Sequence, residues 1–234
     1  MCGRFTLRVD AQAVAEHFDA DARGVEHQPR FNIAPEDVSG VLMIGWKREE
    51  ERRALARARW GLLPGWVDDP DDFPRLINAR SETAAEKPSF RSAFRKRRCL
   101  IPADGFYEWL KVNGGKQPYF IHRKDDAPFA FAGLWEHWSR EDRSIDSCTI
   151  LTCEPNELVE PVHDRMPVIL PEDRYDAWLR PDTWDGDPRE LLVPYPDPAG
   201  AFEARPVSKR VNDPTYDAPE LVEPTGPSSH ESPQ

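Results

Sequence analysis

The sequence predicts a single α+β domain with a mainly antiparallel β-sheet core and a few short helices. Three observations favour this fold class: at least six short strand-like segments bounded by turn signals, few helical segments, and no internal repeat. A chain of 234 residues is long enough for one sizeable domain or at most two small ones. We expect residues 1–224 to form the domain and residues 225–234, which contain no large apolar residue, to be a disordered tail.

The N-terminal part contains one clear helix signal. Asp10 is a typical N-cap residue, and the segment after it places Ala11, Val14 and Phe18 on one helical face. Farther along, Arg30–Pro35 mixes polar and apolar residues and ends in proline, so we expect a loop there. The short helix and this loop are the only features expected before residue 36.

A β-hairpin is predicted from two segments that flank a charged turn. Val41–Trp46 is an apolar run that fits a strand, whereas Arg53–Trp60 alternates arginine and alanine with a period of two. Lys47–Arg52, which lies between them, is expected to form the turn.

Most of the remaining strands are predicted in the second half of the chain. Their expected positions are Cys99–Ile101, Phe106–Val112, Tyr119–His122, Phe129–Trp135, Cys148–Thr152, Val168–Leu170 and Ala204–Ser208. Asn113–Gly115 has the composition of a hairpin turn. Helices are expected at Phe90–Arg97 and at Pro171–Leu179, which opens with proline and acidic residues.

Charge and cysteine content restrict the classes of function. The net charge of −11 speaks against general affinity for nucleic acid, although Arg75–Arg98 contains eight basic residues and two acidic ones. The chain has no run of about 18 apolar residues and no signal pattern, so we expect a cytoplasmic protein that does not enter a membrane. The four cysteines lack metal-ligand spacing, so reduced thiols, no metal and no cofactor are expected.

The first residues of the chain, Met1-Cys2-Gly3-Arg4-Phe5, contain a candidate nucleophile. If Met1 is removed, Cys2 carries a free α-amine beside its thiol, with reference pKa values of about 7.7–8.0 and about 8.5. Such an amine forms an imine with an aldehyde, and the thiolate can close onto the imine carbon to give a thiazolidine. Taken alone, Cys2 is better explained as an ordinary small residue near a start codon, because one cysteine is a weak signal.

Glu108 and His163 are candidate acid/base residues. Glu108 lies in a predicted strand whose two faces are both apolar, so the pattern leaves open whether its carboxylate is exposed or desolvated. Desolvation would raise its pKa and suit it to proton transfer. His163 lies between Pro161 and Pro167 on a constrained loop, where it is either a functional residue or a hydrogen-bonded loop histidine.

Asn78 and Trp66 are candidate binding residues. Asn78 can hold a polar group of a substrate, or it can satisfy local backbone groups. Trp66 follows a Pro64-Gly65 turn, where it can stack on a nucleobase or cover the core. Singly these signals are weak, but together with Cys2 they form a more specific set.

A series of ordered motifs makes the chain resemble one known family. The motifs are Met1–Phe5, Arg30–Pro35, Trp60–Trp66, Ile77–Thr83, Arg98–Trp109, His163–Pro167 and Pro206–Ser208. They resemble the SRAP family, the SOS response-associated peptidases described as abasic-site processing proteins. The resemblance covers residues 2 to about 224.

The resemblance implies a monomeric DNA repair protein that binds single-stranded DNA at abasic sites and links covalently to them through Cys2. It implies that Asn78 orients the reacting centre, that Glu108 transfers protons and that His163 is a second acid/base. Weak lyase activity and reversal of the crosslink are implied as well. The family positions that contact DNA correspond here to Arg4, Pro35, Trp66, Arg80 and Arg165.

Two departures and two alternative functions accompany this resemblance. Val67 and Pro88 stand where some members have a second aromatic residue and a DNA-contacting arginine, which predicts weaker DNA binding. One alternative is an N-terminal-nucleophile hydrolase, a peptidase or glutaminase, in which the Cys2 thiol attacks an amide. The other is a non-catalytic module that binds single-stranded DNA and in which Cys2 is incidental.

Overall fold

Two β-sheets form the framework of the computed structural model, which describes residues 2–35, 37–180 and 185–225. The strands are β1 (Phe5–Leu7), β2 (Ala20–Asp21), β3 (Arg30–Ile33), β4 (Val41–Lys47), β5 (Arg52–Trp60), β6 (Asn78–Arg80), β7 (Arg98–Ala103), β8 (Gly105–Val112), β9 (Gly115–Arg123), β10 (Phe129–Arg140), β11 (Arg143–Cys153), β12 (Met166–Pro167), β13 (Ile169–Leu170) and β14 (Phe202–Pro206). The first sheet has the order β14-β9-β8-β1-β3, and its strand pairs are all antiparallel.

The second sheet closes into a barrel. Its strand order is β12-β11-β10-β7-β4-β5-β2, with β13 paired to β10 and β6 paired to β11. β5 also pairs in parallel with β11, so that β4, β5, β7, β10 and β11 form a closed ring. Most of the pairs are antiparallel and the helices are short, which confirms the predicted α+β class.

The two sheets pack against each other through aromatic side chains. Phe5 of β1 lies edge to face against Trp60 of β5, with ring centroids 5.2 Å apart. Phe131 of β10 contacts both Phe5 and Phe106 in the same way, at 5.8 and 5.9 Å. These buried rings fix the start of β1, and therefore the start of the chain, at the junction between the sheets.

The helices are short and lie on the outside of the sheets. They are α1 (Ala11–Phe18), α2 (Ser81–Ala84), α3 (Arg91–Lys96), α4 (Tyr175–Leu179) and α5 (Pro198–Ala201). The predicted cap is confirmed, because the Asp10 carboxylate accepts a hydrogen bond of 2.9 Å from the Ala13 N–H. The helices predicted at Phe90–Arg97 and Pro171–Leu179 correspond to α3 and α4. No helix in the described ranges is both long and apolar enough to cross a membrane.

Both predicted hairpins are present. β4 and β5 pair from Val41↔Ala58 to Lys47↔Arg52 around the charged turn. β8 and β9 meet at Gly114 and Gly115, whose φ angles of 87° and 154° favour glycine over other residues. Local sequence patterns therefore specified these two hairpins correctly.

The prediction of a loop at Arg30–Pro35 is wrong for its first four residues. Arg30–Ile33 forms β3, which pairs with the unpredicted strand β1. Its polar side chains face partners from the C-terminal segment: Asn32 donates to the Asp213 carbonyl at 2.9 Å, and Arg30 pairs with Asp217. Because those partners are distant in sequence, the polar residues resemble those of a loop.

The predicted tail lies almost wholly outside the described residues. Thr225 is the exception, since its N–H donates to the Pro206 carbonyl at 2.9 Å and thereby continues the paired structure. The domain boundary at residue 224 stays a prediction.

Buried Asp104 anchors β1 to the junction of β7 and β8. The carboxylate is 1% exposed and accepts hydrogen bonds of 2.5 Å from both the Thr6 hydroxyl and the Arg8 N–H. The Arg8 guanidinium lies 3.1 Å from Asp104 and also 3.1 Å from Asp126, whose side chain is 65% exposed. Arg8 thus has one buried and one exposed carboxylate partner.

We expect Asp104→Ala to lower the free energy of unfolding by about 3 kcal/mol, because the Thr6 hydroxyl and the Arg8 guanidinium lose their buried partner. Asp126→Ala is the matched control and should cost less than about 1 kcal/mol, because solvent screens the exposed pair. Urea denaturation followed by tryptophan fluorescence measures both values. Equal losses for the two variants would show that Asp104 does not anchor β1.

Candidate active site

Cys2 lies just before β1 and is fully buried. Its carbonyl accepts a hydrogen bond of 2.7 Å from the side-chain amide of Asn78, and its Sγ lies 4.0 Å from the Arg4 carbonyl oxygen. Burial raises the pKa of the Cys2 thiol well above its ordinary value, and the nearby Glu108 carboxylate acts in the same direction. The thiol is therefore protonated at neutral pH.

β6 positions Asn78 beside the start of the chain. This short strand pairs in parallel with β11, where Asn78 lies opposite Ile150. Asn78 and Arg80 point to one face of β6, whereas Ala79 is buried on the other. While Nδ2 donates to Cys2, the Asn78 Oδ1 is buried and has no hydrogen-bond partner among the described residues. A buried acceptor is thus available next to Cys2.

The structure resolves the question that the sequence left open for Glu108. Phe106 and Tyr107, which point to opposite faces of β8, are both fully buried, and Glu108 is itself only 1% exposed. Both faces of the strand are therefore covered at this point. The Tyr107 N–H donates to the Arg4 carbonyl at 3.0 Å, which brings the start of the chain alongside β8. Burial raises the pKa of the Glu108 carboxyl to about 7. At neutral pH this group can both donate and accept a proton.

His163 lies next to Glu108, with Nε2 3.9 Å from the Glu108 Oε2. The Arg165 N–H donates to Nδ1 at 3.0 Å, so in the neutral ring the proton resides on Nε2, which faces Glu108. Asp164 Oδ1 also lies 3.0 Å from Nδ1, but a hydrogen bond there requires a proton on Nδ1 and so competes with the one from the Arg165 N–H. Burial lowers the pKa of His163, which favours the neutral form.

The loop that carries His163 is tied at both ends. Its end enters β12, where Met166 and Pro167 pair with Cys153 and Thr152 of β11. Within the loop, the His163 N–H donates to the Val159 carbonyl at 2.9 Å. These backbone contacts hold the imidazole next to β8.

An open cavity of about 690 Å³ adjoins His163. Trp109, Leu110 and Lys111 of β8 line it together with three acidic residues, Glu154, Glu160 and Asp164. The cavity gives a small polar group access to the imidazole. The excess of acidic residues in its lining disfavours phosphate there.

Cys2 differs from the other three cysteines in its neighbours. All four cysteines are buried free thiols. Burial raises the pKa of Cys148 and of Cys153 to about 12. Among these thiols, the pKa of Cys2 is the one that responds to the Glu108 carboxylate. Within the described part of the chain, no group of three or more His, Cys, Asp or Glu residues is arranged to hold a metal ion.

Two of the predicted DNA-contacting residues are exposed. Trp66 has 57% of its surface accessible, and its ring lies edge-on to Phe73 with centroids 5.7 Å apart. Arg80 is exposed at the end of β6, on the same face as Asn78. Both side chains are free to contact a nucleic acid.

The other three predicted contacts also hold the fold together. Arg4 donates to the Asn32 side chain at 2.9 Å and to the Val211 carbonyl at 2.8 Å. Arg165 forms an ion pair with Glu82 at 2.5 Å. Pro35 is buried. Any DNA contact by these residues uses the surface that remains exposed.

The two departures from the family pattern have different structural settings. Val67 is 5% exposed and packs in a small apolar cluster with Leu63 and Trp138, whose indole N–H donates to the Val67 carbonyl at 2.7 Å. Pro88 is exposed just before α3. Trp66 therefore presents its ring without an exposed aromatic neighbour at position 67.

The Arg75–Arg98 stretch does not form one basic face. Arg98 is 4% exposed and lies over the Trp178 ring at 5.1 Å, because it begins a strand in the barrel. Arg97 pairs with Glu136 at 2.5 Å. Arg98 is therefore buried and not part of an exposed basic surface.

Sequence reasoning missed Asn32, which supports the active site indirectly. This fully buried side chain accepts from Arg4 and donates to the Asp213 and Tyr216 carbonyls, at 2.9 and 2.7 Å. It therefore links the start of the chain to the C-terminal segment. A polar residue between two apolar ones, Phe31 and Ile33, was the available signal.

Comparison with known proteins finds close similarity along almost the whole chain. Residues 1–214 match the family model for SOS response associated peptidase (SRAP). The chain is 43% identical over 229 residues to the abasic site processing protein YoqW of Bacillus subtilis, covering 95% of this chain and 99% of that protein. It is 31% identical over 232 residues to the abasic site processing protein YedK of Escherichia coli, covering 96% and 100%.

Solved structures share the fold. A protein from Bacteroides thetaiotaomicron has a TM-score of 0.84 at 25% identity, covering 96% of this chain and 100% of that one. A protein from Bordetella bronchiseptica has a TM-score of 0.70 at 31% identity, covering 88% and 100%.

We expect Glu108→Gln to change the pH dependence of stability. The pKa of Glu108 is raised from 4.5 to about 7 in the folded protein, so the wild type loses stability as pH rises through this interval. Glutamine cannot ionise, so the free energy of unfolding of the variant, relative to that of the wild type, should rise by about 3 kcal/mol between about pH 5 and about pH 8. Urea denaturation at several pH values measures the difference.

Glu154→Gln is the matched control, because Glu154 is exposed at the rim of the same cavity. Its difference from the wild type should stay constant across the same pH range. A constant difference for Glu108→Gln as well would mean that the Glu108 carboxyl is not desolvated in solution.

Proposed function

The chain belongs to the SOS response associated peptidase (SRAP) family, and we propose that it repairs DNA by linking itself to abasic sites in single-stranded DNA. Its relatives YoqW and YedK are named abasic site processing proteins, which supports a role at abasic sites. The observation that carries the proposal is the convergence of Asn78 and Glu108 on Cys2, with His163 beside Glu108.

The reaction begins at the α-amine of Cys2, after removal of Met1. An abasic deoxyribose exists partly as a ring-opened aldehyde, and the amine adds to its C1′ carbon. The resulting carbinolamine loses water to give an imine. The amine acts before the thiol, because burial keeps the Cys2 thiol protonated whereas an α-amine has a reference pKa of about 7.7–8.0.

The thiol completes the reaction by adding to the imine carbon. A carbon–sulfur bond forms, the thiol proton is transferred to the nitrogen, and the product is a thiazolidine ring plus the water released earlier. Glu108, with a pKa of about 7, moves protons in both steps, and the Nε2–H of His163 donates a hydrogen bond to the sugar ring oxygen as the ring opens. The buried Oδ1 of Asn78 accepts a hydrogen bond from the Cys2 nitrogen.

DNA binds across the face that carries Asn78. Arg80, exposed on the same face of β6, contacts a phosphate, and the exposed ring of Trp66 stacks on a base. Arg4 and Arg165 contribute through their accessible surfaces, whereas Pro35 is buried and has little surface for a contact. In single-stranded DNA the aldehyde needs no base flipping, because nothing pairs with it.

The same chemistry accounts for secondary activities. If ring closure does not follow, the imine permits β-elimination of the adjoining phosphate, which is a weak lyase reaction. Protonation of the thiazolidine by the same acid/base pair breaks the carbon–sulfur bond and restores the imine, and water then hydrolyses the imine to the aldehyde and the free Cys2 amine, which releases the protein. We propose that the domain, residues 1–224, acts as a cytoplasmic monomer.

Two other functions make different demands on Cys2. A hydrolase uses the thiol to attack an amide, with the α-amine as its base. A simple DNA-binding module needs neither group. The raised pKa of the buried thiol favours the imine route over direct thiolate attack, which is why we place DNA repair first.

We predict a covalent adduct between the protein lacking Met1 and single-stranded DNA that contains one abasic site. Cys2→Ala should abolish the adduct that survives without borohydride, because it retains the amine but not the thiol. Cys153→Ala, which removes another buried thiol, should leave adduct formation unchanged. Intact-protein mass spectrometry distinguishes these species.

The alternative functions predict other species in the mass spectra. An adduct that appears only after borohydride treatment, in wild type and Cys2→Ala alike, would mean an imine lyase without thiazolidine. If no adduct forms although Met1 is removed and Cys2 is free, the repair function fails and the hydrolase becomes the leading candidate.

A further inference from the structure

Three arginines outside the proposed catalytic set line an open pocket of about 440 Å³. Arg57 and Arg59 lie on β5, and Arg75 lies just before β6. Arg57 and Arg59 point to one face of β5, since alternate residues of a strand share a face, while Ala58 is buried on the other. The loop around Ser39 forms the opposite wall.

None of the three arginines forms an ion pair with a carboxylate in the described ranges. Arg57 donates to two backbone carbonyl groups, one of them that of Ser39 at 2.7 Å, and Arg75 donates to the Pro35 carbonyl. Arg59 has no hydrogen bond to any residue described, and its Nε is buried. This is unusual in a chain with a net charge of −11, in which many arginines are paired.

The carboxylates around the pocket already have other partners. Asp37 pairs with Arg30 at 2.5 Å, Asp146 with His137 at 2.7 Å and Asp71 with Arg143 at 3.1 Å. The acidic residues near the three arginines therefore do not neutralise them by direct contact.

Arg59 and Arg75 are close enough to repel each other. Burial, followed by the nearby charge of Arg75, lowers the pKa of Arg59, and Asp71 opposes this only partly. Two like charges in a partly desolvated pocket are unfavourable for the folded protein without an anion. An oxyanion bound between the guanidinium groups would relieve this repulsion.

The pocket and the active site both lie beside β11. Arg59 is opposite Ser147 and Asn78 is opposite Ile150, both in parallel pairing. Three residues of strand separate these positions, a distance of roughly 10 Å, and this odd separation places the Arg59 and Asn78 side chains on opposite faces of the sheet. Arg80, opposite Thr152, shares the Asn78 face. A DNA strand that contacts both sites therefore passes around the end of β5, next to which Arg59 lies.

We propose that Arg57, Arg59 and Arg75 bind one backbone phosphate of the DNA strand whose abasic site is held at Cys2. This proposal rests on the proposed function, because it takes that DNA as the ligand. The planar guanidinium groups match phosphate oxygens with paired hydrogen bonds.

The test measures non-covalent binding of single-stranded DNA without an abasic site, at KCl concentrations from about 50 to about 200 mM. Arg59→Gln should weaken binding about tenfold at low salt and reduce the slope of log K against log salt by about 0.7, because one phosphate contact is lost. Arg59→Lys, which keeps the charge, should retain most of the slope. The Tm of Arg59→Lys and the Tm of Arg59→Gln should not fall below that of the wild type, since neither variant removes a hydrogen bond within the described structure.

Arg23→Gln is the matched control. Arg23 is paired with Asp21 at 2.9 Å, next to β2 and toward the far end of β5 from Arg59, so its removal should leave the slope unchanged. An unchanged slope for Arg59→Gln, while the wild type binds DNA, would overturn the proposal.

Two further outcomes distinguish this proposal from a free-anion site and from the proposed function on which it rests. Calorimetric binding of inorganic phosphate that is lost in Arg59→Gln, without any change in the DNA slope, would indicate a site for a free anion and overturn the proposal. A reduced DNA slope in Arg59→Gln, with no adduct on abasic DNA in the wild type, would support the pocket but contradict the proposed function. If the wild type does not bind DNA at all, both the phosphate site and the proposed function are contradicted.

Discussion

The buried carboxyl of Glu108 is the constraint on which the rest of the active site depends. Burial raises its pKa to about 7, because water is excluded from both faces of β8. That exclusion requires β1 to stay paired with β8, and the Asp104 network holds β1 in place. The same burial keeps the Cys2 thiol protonated until a proton acceptor is present. Fold stability and chemistry are therefore coupled through a single desolvated group.

The distribution of charge explains how an acidic protein can bind DNA. Paired arginines such as Arg165 stabilise the structure, and their charge is largely neutralised by their partners. Arg59 and Arg80, by contrast, lie along β11 on either side of Asn78 without carboxylate partners among the described residues. Local unpaired charge, rather than net charge, determines where phosphate can bind.

Elements with local signals could be predicted from the sequence, and elements that depend on distant partners could not. The Asp10 cap and the β4–β5 hairpin follow from residues within a few positions of one another. β3 was mistaken for a loop because Arg30 meets its partner 187 residues later. The pattern around Glu108 could not reveal burial, since both faces of its strand are apolar. That Arg59 lacks a carboxylate partner among the described residues likewise could not be predicted from the sequence, because three nearby carboxylates pair with other residues in the fold.

The most direct test of the proposed chemistry observes the carbon that reacts. Single-stranded DNA with a ¹³C label at C1′ of one abasic site would be mixed with protein lacking Met1, and the adduct examined by NMR. Thiazolidine formation predicts a tetrahedral carbon whose chemical shift reports bonds to both nitrogen and sulfur, and Cys2→Ala should not give this signal. A planar imine carbon as the final species, or a carbon bonded to sulfur alone, would contradict the joint action of the Cys2 amine and thiol.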